Sequence, residues 1–161
     1  PIELMTDLRK GIFSELYAAQ KTDAYRRNLQ RAFIDIASEY IKKEKADDEI
    51  SGAALLHDIG DELTPLNHSE YAAAVLKPYV SEKIHWLVEK HGEFQMYYYA
   101  HHLEGNRNQR EKYKGHKYYE DTAKFCENWD QKSFDPNYKS LSLKDFEPYV
   151  KKIFSRTQYT Q

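Results

Sequence analysis

The chain has 161 residues, a net charge of −2, 31% charged and 40% hydrophobic residues, and a single cysteine. That length suits one domain over residues 1–161 and lets about 70% of the unfolded chain's surface be buried, so neither metal nor disulfide is needed merely to fold. With no basic block, no apolar run of bilayer length and no signal-peptide pattern, the composition argues against nucleic acid and membranes as partners and for a cytoplasmic protein.

Cys126 excludes an internal disulfide, fits a reducing compartment and reads as a small buried apolar residue. Low apolar content with helical spacing predicts amphipathic helices around one thin core, an all-α domain. Ile2, Met5, Leu8, Ile12, Phe13 and Leu16 predict a helix to about Tyr17. Asp23 caps the next, whose apolar face runs Leu29, Ala32, Phe33, Ile36, Ala37, Tyr40 and Ile41. Residues 42–48 read as a charged turn, and Glu49 to Ile59 as a short central helix with little polar surface.

Gly60 to Asn67 is a loop broken by Pro65. Asn67 and Glu70 suggest a box-like start for a helix from His68 to about Lys77, which Pro78 stops. Ser81 caps a further helix through Ile84, Leu87 and Val88, with Gly92 as its predicted stop. Phe94 to Ala100 is ambiguous, since Tyr97, Tyr98 and Tyr99 favour a strand locally while the surroundings favour helix. Glu104 to Lys117 is a polar excursion, and Tyr118 to Gln131 is helical again. Turn chemistry fills Ser133 to Tyr138, and Ser142 with Asp145 signals a last helix that Pro148 can kink.

The stretch Ala53-Ala-Leu-Leu-His57-Asp58-Ile-Gly60 is the organising motif. An apolar run delivers a His-Asp pair to a helix end, and Gly60 lets the backbone leave in a left-handed conformation. Adjacent helical residues point roughly 100° apart, so the pair meets one ion only near that end. Read alone, the motif is equally a helix C-terminus with a histidine near the dipole's negative end. Other ligand-type residues at or near predicted helix ends are His68, His91 and Asp130. By contrast, His85 reads as a surface or half-buried flank, His101 and His102 cannot both face one site, and His116 reads as solvated.

These stretches, with Asn67-His68 before Tyr71-Ala72-Ala73, His91-Gly92 and Trp129-Asp130-Gln131, resemble the HD-domain superfamily of metal-dependent phosphohydrolases. The resemblance covers about Tyr17 to Phe154 and is nearest to the branch of phosphonate-cleaving diiron oxygenases, more distantly myo-inositol oxygenase. It implies one HD-domain helical bundle with a metal site in its core. It also implies the metal ligands His57, Asp58, His68, His91 and Asp130, with Asp58 bridging and His68 and His91 serving the second ion. One or two ions are implied, iron foremost, with manganese, nickel and zinc as alternatives. Two departures stand out. Arg27 occupies the register of an expected histidine, and a guanidinium has no lone pair for a metal. Tyr17-Ala-Ala-Gln20 keeps only the tyrosine of a Tyr-x-x-Glu lid element. Arg27 either pairs with Asp58 or Asp130 or points to solvent beside Arg26 and Arg31.

The expected catalytic residues are therefore Asp58, Arg27 and Tyr17. Gln95, Tyr98 and His102 follow His91 closely and are the substrate-pocket candidates, against ordinary packing roles. Arg107, Arg110, Lys112 and Lys114 either bind an anionic substrate or form a solvated loop face with Glu104 and Glu111. The expected function is that of an oxygenase-type enzyme acting on a small polar or organophosphonate substrate, with a weakened first metal site. Hydrolysis of a phosphomonoester or nucleotide, or non-catalytic small-molecule binding, are the alternatives.

Overall fold

The computed structural model describes residues 48–61, 63–102, 104–132 and 141–156. The expected helices before residue 48 and the turn at Ser133 to Tyr138 lie outside them. The described residues are helical, without a strand: α1 (Asp48–Leu56), α2 (His68–Leu76), α3 (Glu82–Tyr99), α4 (Tyr119–Asn128) and α5 (Leu143–Phe154). Short 3₁₀ turns lie at Ala100–His102, Gln109–Tyr113 and Asp130–Lys132.

The central helix has the polar-poor surface its sequence predicts. Every residue from Ser51 to His57 is buried, against α5 on one side and α3 on another. In α3, Ile84, Leu87, Val88, His91 and Phe94 are buried, the three-and-four spacing of a single inward stripe. This helix is the spine of the fold, packing against α1, α2, α4 and the turn at Gln109–Tyr113. Its 18 residues start at Ser81, whose side chain accepts the Ile84 N–H, and the tyrosine run is their last turn. Helical context overrides the strand preference of those tyrosines.

Gly92 does not stop the helix. A Cβ there would lie 2.7 Å from Ser69 Oγ, so the glycine serves the close approach of α2. Asn67 does precede α2, but its side chain makes no capping hydrogen bond. At α5 the capping signal is realised, with the Ser142 N–H donating to Asp145 Oδ2 at 2.8 Å. Pro148 lies within α5 with its ring exposed, while Phe146, Val150, Ile153 and Phe154 fill the core.

Candidate metal centre

Helix α1 ends at Leu56, and His57 to Asp61 form the turn that follows. Gly60 has φ +102°, the left-handed backbone expected of it, and Tyr71 packs where its Cβ would stand. The turn takes His57 and Asp58 off the helical 100° spacing. His57 Nε2 comes to 3.0 Å from Asp58 Oδ2. Helix α2 brings His68 Nε2 to 3.3 Å from Asp58 Oδ1, and α3 brings His91 Nε2 to 2.8 Å from the same oxygen. His68 Nε2 and His91 Nε2 are 3.3 Å apart.

One local rule orients all three imidazoles. His57 Nδ1 meets the Ala54 carbonyl at 2.7 Å, His68 Nδ1 the Pro65 carbonyl at 3.0 Å, and His91 Nδ1 the Val88 carbonyl at 2.7 Å. Each carbonyl lies three residues earlier, where a helical or turn backbone presents it. An Nδ1–H that donates to the backbone leaves Nε2 facing Asp58, the arrangement that fixes the tautomer of metal-binding histidines. Ring packing completes the support. The His57 ring stands edge-on to His91 at 4.7 Å and to Phe125 of α4 at 5.4 Å. The thiol of Cys126, buried as expected, points to the His91 carbonyl at 3.6 Å.

His57, Asp58 and His91 have ligand atoms within 4.8 Å of one another and could hold a metal ion. The donor spacing fits one. Neighbouring ligands of an octahedral first-row ion with bonds of about 2.1 Å are about 3.0 Å apart. The triangle of Asp58 Oδ1, His68 Nε2 and His91 Nε2 has sides of 2.8, 3.3 and 3.3 Å.

The Asp58 carboxylate dominates the electrostatics of the cluster. Burial would depress the His57 pKa, but the Asp58 charge and hydrogen bond, with Asp130 behind them, outweigh it and raise the pKa to about 9. Burial would raise Asp58, but His57 and His91 hold it well below the usual carboxylate range. His68 is raised despite its burial, through its hydrogen bond and charge interaction with Asp58.

Asp130 opens the 3₁₀ turn after α4 and is buried. Burial raises its pKa and Asp58 adds to this, while His57, His91 and a Gln95 hydrogen bond oppose it. Gln95 is thus placed beside Asp130, one helical turn beyond His91. Tyr99, a further turn on, is pushed up to about 12 by burial and the Asp130 charge. Sequence reasoning passed over Tyr99, over Asp61, whose Oδ1 is 3.7 Å from His68 Nδ1, and over Ser69, whose Oγ is 3.2 Å from His68 Nε2. The helical spacing of Tyr99 from His91 was the available signal.

The remaining candidates scatter. Tyr17, Gln20 and Arg27 lie outside the described residues, as does the His102 side chain. Tyr98 and Arg107 line a cleft at the C-terminal end of α3. Lys112 pairs with Glu93, and Lys114 with Glu111. His85 lies 4.0 Å from Glu89 and His101 is exposed. His116, read as solvated, is half-buried and stacked on Trp86 at 3.6 Å, because the excursion folds back over α3.

No protein-family model matches this chain, and no curated protein does.

Proposed function

We propose that this chain is a metal-dependent enzyme of the HD type with a dinuclear, iron-favouring centre, which oxidises a small polar or organophosphonate molecule. The observation that supports this most is the triangle of two imidazole nitrogens and one carboxylate oxygen, His68, His91 and Asp58. Two histidines and one carboxylate on one face, with the other positions open, is the donor set of non-haem iron oxygenases. When bound, iron there supplies Lewis acidity and a redox couple that can engage dioxygen.

The chain's residues divide the remaining work. Asp58 turns Oδ1 to His68 and His91 and Oδ2 to His57, so one carboxylate serves two donor sets. His57, Asp58 and Asp130 would hold the first ion, and Arg27 in place of a histidine would make that site the weaker. The Ala54, Pro65 and Val88 carbonyls keep the three rings from turning. Gln95 hydrogen-bonds Asp130, and Tyr99 lies near it with its own hydrogen bond to Gln131.

Elemental analysis of freshly purified protein, with oxygen uptake measured on hydroxylated organophosphonates and polyols, tests this. Bound iron and substrate-dependent oxygen consumption are expected. Phosphate release from phosphomonoesters with added manganese, without oxygen uptake, would replace the reading with a hydrolase. Folded protein that binds no metal would overturn both and leave a binding protein.

A further inference from the structure

The C-terminal end of α3 carries a second constellation. The Arg107 guanidinium carbon lies 4.2 Å from the Tyr97 ring centre, and that of Arg110 lies 3.6 Å from it. The rings of Tyr97 and Tyr98 stand edge to face at 5.2 Å. The chain returns to them because the Gly105 N–H donates to the Ala100 carbonyl at 3.0 Å, which brings the excursion back across the end of α3. Tyr97, Tyr98, Ala100, His101, Gly105 and Arg107 line a cleft of about 510 Å³. Small-molecule pockets run from about 300 to 1,000 Å³.

The cleft is apart from the metal cluster. Tyr97 follows His91 by six residues, which is about 9 Å along the helix and about 120° around it. None of the cleft's lining residues belongs to the cluster.

Its chemistry is one-sided. The lining holds a guanidinium, an imidazole and two phenols, and no carboxylate. Lys112 and Lys114, from the same excursion, each pair with a glutamate, and Arg110 lies 4.0 Å from Glu111. Among the described residues Arg107 has no such partner. Laid on an aromatic ring, it keeps a planar fork of donors suited to a carboxylate or phosphate. A guanidinium already held in place loses little further freedom on binding.

We propose that this cleft binds a small organic anion that carries a planar ring. The anionic group meets Arg107, and the ring packs against Tyr98. The proposal stands independently of the oxygenase reading.

The test is calorimetric titration of the full chain with phenyl phosphate. Saturable binding is expected, with benzyl alcohol and inorganic phosphate each binding about tenfold more weakly or worse. Arg107→Ala, at an exposed position, should weaken phenyl phosphate about tenfold or more, and Arg107→Lys by less. Asp58→Ala should leave the affinity within about twofold. Unchanged affinity in Arg107→Ala would overturn the proposal. So would affinity lost in Asp58→Ala but kept in Arg107→Ala, which would put the probe at the metal cluster.

Discussion

In the metal-free protein His57 carries two protons at neutral pH, because its pKa is raised to about 9. A metal accepts only a lone pair, so loading the cluster must expel the Nε2 proton. Two outcomes follow from that sign. The folded pKa lies above the unfolded value of about 6.5. The ion pair with Asp58 therefore stabilises metal-free protein fully below pH 6.5 and is lost as pH rises through 9. Melting temperature in chelator should fall across that window, while apparent metal affinity rises across it. A flat melting profile with chelator between pH 6.5 and 9 would show that His57 is neutral throughout. Asp58→Ala removes the one group that, among the described residues, faces all three imidazoles, and metal content should drop to background. Metal kept at the wild-type level would refute the ligand assignment. His57 and Asp58 were legible because their motif combines a helix end, a glycine and ligand chemistry within a few residues, whereas His91 lies inside α3 and not at the helix end its following glycine suggested. Tyr99 and Ser69 were not, since a tyrosine in an aromatic run and a serine in the first turn of a helix look the same in sequence whether or not they approach a site.

Among the elements, α2 approaches α3 closely at Gly92. Adding one methyl there meets Ser69 Oγ at 2.7 Å and comes within 3.8 Å of the His68 ring. Helix propensity favours alanine over glycine by about 1 kcal/mol, whereas overpacking costs about 1–3 kcal/mol. The steric term wins, and Gly92→Ala should lose about 1 kcal/mol and bind metal more weakly, because His68 moves with α2. Adding Ser69→Ala removes the struck atom and should restore much of both, as a double-mutant cycle by thermal melts and metal titration would read. Additive effects of the two substitutions would sink the steric account. The position also shows where sequence reading stops. A glycine within three residues of a histidine closes the turn beyond α1 at Gly60, where φ is positive, and marks an interhelical contact at Gly92. Only the neighbouring helix, invisible in local sequence, distinguishes them. Capping chemistry is local, so Ser81 and Ser142 with Asp145 were readable. The Asn67 reading failed in its side chain, since backbone conformation rather than residue type decides whether a cap closes.

Across the whole molecule, α1 must stay aligned with α3 for His57 and Asp58 to meet His91, and a buried glutamate at the far end of α1 ties that alignment down. Glu49 accepts the Ser81 N–H, at the cap of α3, with one oxygen. Its other oxygen lies 2.5 Å from Arg156 Nη1, past the end of α5 and 107 residues away in sequence. The Glu49 side chain is 8% exposed and that of Arg156 27%. A fully buried pair broken on one side costs about 3–5 kcal/mol, and the partial exposure of Arg156 lowers this to about 1–3 kcal/mol. Arg156→Met should therefore lower the melting temperature by roughly 3–10 °C for a chain of this size. Glu49→Gln keeps an acceptor for the Ser81 N–H and removes the charge, so the double variant should recover part of the loss. Metal affinity of the folded Arg156→Met protein should change far less than its stability, because the tie holds the helices rather than the ligands. A single variant within 0.5 kcal/mol of wild type by denaturant titration would mean that core packing alone sets the α1–α3 alignment.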